Sequence, residues 1–253
     1  MSLSLATGLT VSLSSTAAVL GLAAGGAWAT MGPGSQLFGR TLTAPRIPGQ
    51  LALTFDDGPN PAHTPRLLDI LAEHDVRATF FLVGRYAQAA PALVRRIAQA
   101  GHLIGNHSWS HPNLAFISAA RVQDELRRTS ETLAELTGQP IRYFRPPFGG
   151  RRPFVLRTAR SLGMIPVLWN AITTDWSEPS STRIAARLSR TIGRNQRRGY
   201  ATNIVLHDGG HRELGANRGP SVDAAAQLLA RYRPTHTFVT LDTWPEIAGP
   251  APD

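Results

Sequence analysis

The sequence predicts an α/β domain in which about seven parallel strands alternate with crossover helices. Three observations predict it. Seven short apolar runs are each followed by, or lead from, a segment of helical period. The 253 residues, 42% of them apolar, suffice for one barrel-sized domain with additions. The polar residues best suited to chemistry fall just after the apolar runs, as they do where parallel strands share one functional face. An open doubly wound sheet and a closed barrel both satisfy this alternation. No Gly-rich phosphate loop follows the first strand, which weighs against a dinucleotide fold.

Taken in order, Leu51–Phe55 is an apolar run that ends at Asp56-Asp57-Gly58-Pro59 and reads as a buried strand closed by a breaker. Neighbouring strand residues point to opposite faces, so both carboxylates converge only if the backbone turns there. Pro65–Glu73 follows as a helix with Leu67, Leu68 and Leu71 on one face. Ala78–Val83 is the second strand and Pro91–Ala100 the next helix, with Pro91 at its first position. His102–Gly105 is a short third strand. Arg121–Leu136 is the clearest helix, with Val122, Leu126, Leu133 and Leu136 in register and Gly138 as a stop. Arg142–Phe144 runs into Pro146-Pro147, and Arg152–Leu162 is helical up to Gly163. Ile165–Trp169 is a strand, Thr182–Ile192 a helix, Asn203–Leu206 a strand, and Ser221–Arg233 a helix with Ser221 as N-cap. Thr237–Leu241 closes the set.

Residues 1–39 carry no charged side chain. Val11–Ala29 is apolar and ends Ala27-Trp28-Ala29, a small-x-small pattern, so residues 1–31 read as a signal peptide or membrane anchor. Export to the cell envelope, secreted or anchored, is the expectation. Residues 32–47 read as a linker and 48–248 as the folded domain. The net charge is +9 and every basic residue is Arg. The densest group, Arg190, Arg194, Arg197 and Arg198, recurs at helical spacing without interleaved aromatics, so it reads as a solvated helix end and no nucleic-acid partner is expected. There is no Cys, which excludes disulfides and thiolate ligands.

Five clusters of candidate residues follow strands: Asp56 and Asp57, then His107 and His111, Arg145, Asp175 with Trp176, and His207 with Asp208. His107 and His111 are four apart, so one helical turn would bring both imidazoles to one side. With Asp57 they make a two-His, one-carboxylate set suited to a divalent metal with open positions. Arg145 lies between Phe144 and Pro146-Pro147, where a bidentate grip would keep a carboxylate ionised. The turn at Phe148-Gly149 could aim a backbone N–H at a developing oxyanion. His102 reads as structural, and His63, His74 and His236 as exposed. His211 sits in a Gly-rich loop near these residues without a task.

In this order the segments Thr54-Phe55-Asp56-Asp57-Gly58-Pro59, His107-Ser108-Trp109-Ser110-His111, Arg145-Pro146-Pro147-Phe148-Gly149, Asp175-Trp176 and Leu206-His207-Asp208 resemble the five ordered motifs of the polysaccharide deacetylases, the NodB-homology group of carbohydrate esterase family 4. The resemblance covers roughly residues 48–245. It implies a deformed (β/α) barrel and a divalent metal, most often zinc, bound by Asp57, His107 and His111. It implies Asp56 as general base, positioned by Arg145, and His207 as general acid, tuned by Asp175. Phe148 would supply the oxyanion N–H, and Trp176 and Leu206 would line the pocket for the acetyl methyl. Motif three often carries Tyr where this chain has Phe148. The segment before Asp175 lacks an Asp found in some members.

The function so implied is removal of acetyl groups, N-linked or O-linked, from a polysaccharide such as peptidoglycan, chitin oligomers or exopolysaccharide, by a monomer that touches the membrane at most through its N-terminus. Two rival readings are a different barrel metal-dependent amidohydrolase and a catalytically silent envelope module that binds glycan.

Overall fold

The strand Gln50–Gly58 (β1) is the axis of the fold in this computed structural model, which describes residues 25–26 and 28–244. The remaining strands are Thr79–Leu82 (β2), Leu103–Asn106 (β3), Tyr143–Phe144 (β4), Ile165–Pro166 (β5), Ala171–Ile172 (β6), Thr202–His207 (β7) and Thr237–Phe238 (β8). Seven of them run in the order β5-β4-β3-β2-β1-β7-β6, and every pairing is parallel. β8 pairs with Gln50 and Leu51, ahead of the first β1 residue that β2 contacts. The sheet is a half-barrel. Among the described residues no pairing joins β5 to β6, so the barrel is open on that side.

The helices Thr64–Glu73 (α1), Gly84–Ala89 (α2), Pro91–Gln99 (α3), Ala119–Thr137 (α4), Pro153–Ser161 (α5), Ser181–Arg197 (α6) and Gly219–Tyr232 (α7) supply the crossovers. α4 is bounded as its sequence dictates. Ser118 Oγ accepts the Arg121 N–H, and Gly138 takes the left-handed cap at φ 70°. Arg190, Arg194, Arg197 and Arg198 do lie exposed at the end of α6.

Strand alternation divides the interior into two. Leu51, Leu53 and Phe55 of β1 and Ile204 and Leu206 of β7 join the main core under the helices. Ala52 belongs to a second cluster inside the half-barrel with Phe81, Tyr143, Val167 and Trp244. Thr54 and Asp56 have the same parity as Ala52 and carry that inner face up to the mouth.

The structure departs from the expectations at several points. β6 and α2 were not expected, since a two-residue strand and a six-residue helix are too short to show a period. β5 ends at Pro166; beyond it Val167 bridges Leu42, and Leu168 and Trp169 pack with Val205. Ser221 is not an N-cap. The helix begins at Gly219, and Ser221 is buried within its first turn. The segment read as a linker is packed: Ser35, Thr41 and Leu42 are buried. Just before it and within it, the carbonyls of Thr30, Gly32 and Ser35 accept from the buried guanidinium of Arg151 at 2.7–3.3 Å. The apolar stretch read as signal peptide or anchor lies outside the described residues up to position 24. Among the described residues no helix is long and apolar enough to cross a membrane.

Candidate active site

The two adjacent Asp reach one cavity through a bulge. Asp56 pairs with Phe81 and Gly58 with Leu82, so Asp57 is the extra residue, at φ 71°. The end of β7 presses on this bulge. A Cβ on Gly209 would lie 2.0 Å from the Asp57 carbonyl oxygen, so only glycine fits there. Both Asp are buried.

His107 and His111 face Asp57, but not through a helical turn. Their loop is irregular, with Ser108 at φ 63° and His111 at φ 60°. Local hydrogen bonds hold it in that form. Asn106 Oδ1 accepts the Ser108 N–H at 2.8 Å and Ser108 Oγ the His111 N–H at 3.1 Å. The buried carboxylate of Glu125, on α4, accepts both N–H and Oγ–H of Ser110 at 2.7 and 2.6 Å. The positive φ at non-glycine residues is strain held by these contacts.

Asp57 Oδ1 lies 3.0 Å from His111 Nε2 and 3.4 Å from His107 Nε2. One ligand atom from each of the three residues falls within 4.8 Å of the others. The donor set fits a divalent cation on its own chemistry. Among the described residues, Asp57 Oδ1 is buried without a hydrogen-bond partner. His107 Nδ1 lies 2.8 Å from the Arg145 carbonyl, to which it donates, so Nε2 presents a lone pair inward. Burial pushes the His111 imidazole below its ordinary range despite Asp57, which keeps the ring neutral at pH 7. Burial alone would raise the Asp57 carboxyl, yet the imidazoles of His107, His111 and His211 beside it hold it well below the usual range.

Asp56 stands beside the trio, its Oδ2 3.9 Å from His107 Nε2. Its Oδ1 accepts from Arg145 Nη1 at 2.7 Å. The grip is not bidentate. The same nitrogen also donates to Thr54 Oγ1 at 2.6 Å, and Nη2 donates to Asn203 Oδ1 at 3.3 Å. Arg145 is fully buried over the Phe81 ring at 4.2 Å. Burial lowers the guanidinium pKa from its ordinary value, and Asp56 works against that.

On the other side, His207 Nδ1 lies 3.0 and 3.2 Å from the two oxygens of Asp175. Ser221 Oγ donates to Asp175 Oδ2 at 2.8 Å, and the same carboxylate oxygen accepts the His207 backbone N–H. Burial disfavours the imidazolium, but Asp175, then Asp57 and Asp56, raise the His207 pKa to about 9. Trp176 meets this ring edge-on at 5.3 Å. Phe148, at φ 56°, presents a half-exposed ring to His111.

These groups line one cavity of about 330 Å³. Asp56, Asp57, His107, His111, Phe148, Trp176 and His207 all border it, with Arg145 and Asp175 buried behind their partners. Leu206 does not border it. It faces the main core because His207 and Val205 have the opposite parity, and Val205 stands on the wall beside Trp169 and Ile172. Asp208 is also turned away, hydrogen-bonded by Thr64, with burial raising its carboxyl to about 7.

Of the other histidines, His102 is structural as expected, and His63, His74 and His236 are less exposed than expected. His102 is buried, accepts the Ala78 N–H, and is pushed down to about 4 by burial. His63, His74 and His236 are partly exposed. His211, left without a task by the sequence, borders the cavity. Thr54, Asn203, Glu125 and Ser221 were also missed. The first two carried a signal, since a polar residue inside an apolar strand needs a partner.

Residues 44–167 match the family model described as polysaccharide deacetylase. Over 200 residues the chain is 35% identical to a peptidoglycan-N-acetylglucosamine deacetylase of Bacillus cereus, covering 79% of this chain and 69% of that protein. Over 184 residues it is 36% identical to a chitooligosaccharide deacetylase of Sinorhizobium fredii, covering 72% and 83%. Among solved structures, it superposes on a mutant of a CE4 family pseudoenzyme from Bacillus anthracis with restored activity. That match has a TM-score of 0.72 and 26% identity, and covers 81% and 70% of the two chains.

Proposed function

This chain belongs to the polysaccharide deacetylase family, and from that premise we propose that it removes N-acetyl groups from an envelope glycan by metal-dependent hydrolysis. The observation that carries the proposal is the arrangement around one cavity. A trio of ligand atoms within 4.8 Å is flanked by Asp56 on Arg145 and by His207 on Asp175. A likeness in fold includes a pseudoenzyme, so fold alone does not separate a catalyst from a silent relative. The residues favour the catalyst, because a binding module has no use for a paired base and acid.

Asp57, His107 and His111 would hold the cation, and zinc suits two imidazoles and a carboxylate. When bound, the cation would polarise the acetyl carbonyl and make water at the site a stronger acid. Asp56 takes the proton from that water through Oδ2, since Oδ1 is committed to Arg145. The Phe148 N–H is the candidate second donor to the oxyanion. His207, kept protonated by Asp175, gives its proton to the departing amine and leaves the sugar as a free amine. Val205, Trp169 and Ile172 form an apolar wall for the acetyl methyl. Peptidoglycan and chitin oligomers are the substrates we favour, from the activities named for the two relatives. An apolar N-terminal segment that exports the chain would bring it to such glycans.

Acetate release from N-acetylated peptidoglycan and from chitin oligomers, before and after chelation, tests the reading. Activity lost with chelator and restored by added zinc supports it. Full activity in chelator removes the metal from the mechanism. No acetate from either glycan by the zinc-loaded protein refutes the substrate class.

A further inference from the structure

A fourth imidazole stands over the same cavity. We propose that His211 is a positioning residue of the metal centre, donating from Nδ1 to Asp57 Oδ2 so that Oδ1 is left to the cation. The inference rests on the metal-dependent reading given above.

The two oxygens of Asp57 face different partners. His107 and His111 approach Oδ1. His211 Nδ1 lies 3.7 Å from Oδ2. A hydrogen bond forms at about 2.7–3.2 Å, so the ring has to advance by less than about 1 Å. Its surroundings hold the ring beside that oxygen. The ring stacks on His111 at 4.7 Å and 18°, and Phe148 meets it edge-on at 5.3 Å. The loop that carries it is tied down from α2. Arg85 Nη2 donates to the His211 carbonyl at 2.6 Å, and the Tyr86 hydroxyl donates to the Gly210 carbonyl at 3.2 Å. These contacts fix a solvent-facing loop residue against a buried ligand.

The physical consequence is orientation. A carboxylate gripped at one oxygen cannot rotate freely, so its other oxygen stays aimed between the two imidazoles. Partners outside the ligand set of this kind are worth about 10–100-fold in metal affinity. The His211 side chain is 35% exposed, so replacing it opens no core.

The test is a zinc titration of the metal-free protein against a chromophoric chelator, without substrate. His211→Ala is expected to weaken the zinc Kd by about 10–100-fold. His211→Asn, which keeps an amide N–H near the Nδ1 position but is a poor zinc ligand, is expected to recover affinity to within about threefold of wild type. Thermal melting of the metal-free variants reads folding separately. An unchanged Kd in His211→Ala, with Asp57→Asn abolishing binding, overturns the assignment and leaves the metal centre intact. Equal weakening in the Ala and Asn variants also overturns it, because a restored donor must restore affinity. Wild-type protein that takes up no zinc overturns the metal reading and this inference together.

Discussion

Asp56 and Asp57 are consecutive in the chain, yet their carboxylates open into one cavity and answer to different partners. Asp56 Oδ1 is held by Arg145 at 2.7 Å, and Asp57 Oδ1 faces the two histidines at 3.0 and 3.4 Å. The bulge residue at φ 71° makes this division possible.

The division predicts separable defects. Asp56→Asn should cut kcat by about 10²–10⁴-fold, the scale of a general base, while zinc affinity changes little. Asp57→Asn should lose the metal first. Acetate-release kinetics and a metal titration on the same two variants check this. Near-normal turnover in Asp56→Asn would remove that residue from the base role.

His207 should set the alkaline limit of activity. With its pKa raised to about 9, the acid form persists through neutral pH and kcat falls as pH rises past that value. A cation beside Asp57 cancels part of the field that raises the pKa, so the limb sits at or below 9. Asp175→Asn should move it down toward the ordinary imidazole value of about 6.5. The same shift has a stability sign. The folded pKa exceeds the unfolded one, so the contribution is full below 6.5 and is lost as pH climbs toward 9. Melting of the metal-free protein across that window should show the decline, and Asp175→Asn should flatten it.

Ser221 is expected to matter through Asp175. Its hydroxyl donates to Asp175 Oδ2 at 2.8 Å from inside α7. Ser221→Ala should cost about 1.5–3 kcal/mol in denaturant unfolding, the scale of one hydrogen bond to a charged group, since Asp175 Oδ2 still accepts from His207. The alkaline limb should shift in the direction of Asp175→Asn, but less far. A pH profile identical to wild type would leave Ser221 a packing residue only.

Arg145 is the residue least open to exchange. It is wholly buried and its guanidinium reaches Asp56, Thr54 and Asn203 together. Arg145→Met leaves Asp56 an unpaired buried charge and should destabilise by about 3–5 kcal/mol. Arg145→Lys keeps the charge without the fork, so it should retain more stability than activity. Equal kcat in Lys and Arg forms would contradict a positioning role.

The alternation of strand and helix was legible in the sequence because long, periodic segments dominate it. The helix at Ala119–Thr137 was legible to within two residues of each end, with Gly138 as its stop, though its cap at Ser118 was not. The residues of the trio were legible too, but not their geometry. Spacing of four suggested a helical turn, whereas two left-handed residues bring His107 and His111 together. No propensity encodes that, since Asn106 and Glu125 impose it from outside the loop. Leu206 was misplaced by reading a motif without strand parity; Val205 shares the face of His207 and Leu206 does not. Ser221 was misread because Ser before an apolar stretch usually marks a helix start, and here the helix began earlier at Gly219-Pro220. His211 carried no pattern at all, and only the return of its loop over the bulge reveals it.

The buried guanidinium of Arg151 has implications for where the folding unit begins. Among the described residues, all its hydrogen-bonded carbonyls besides Gly149 come from residues 30–35, and Gly149 directly follows Phe148. A protein trimmed to start at residue 44, the first that the family model matches, would keep the cation and discard most of its acceptors. That fragment would leave the guanidinium to water where residues 30–35 had covered it, two residues past the Phe148-Gly149 turn whose Phe148 borders the cavity.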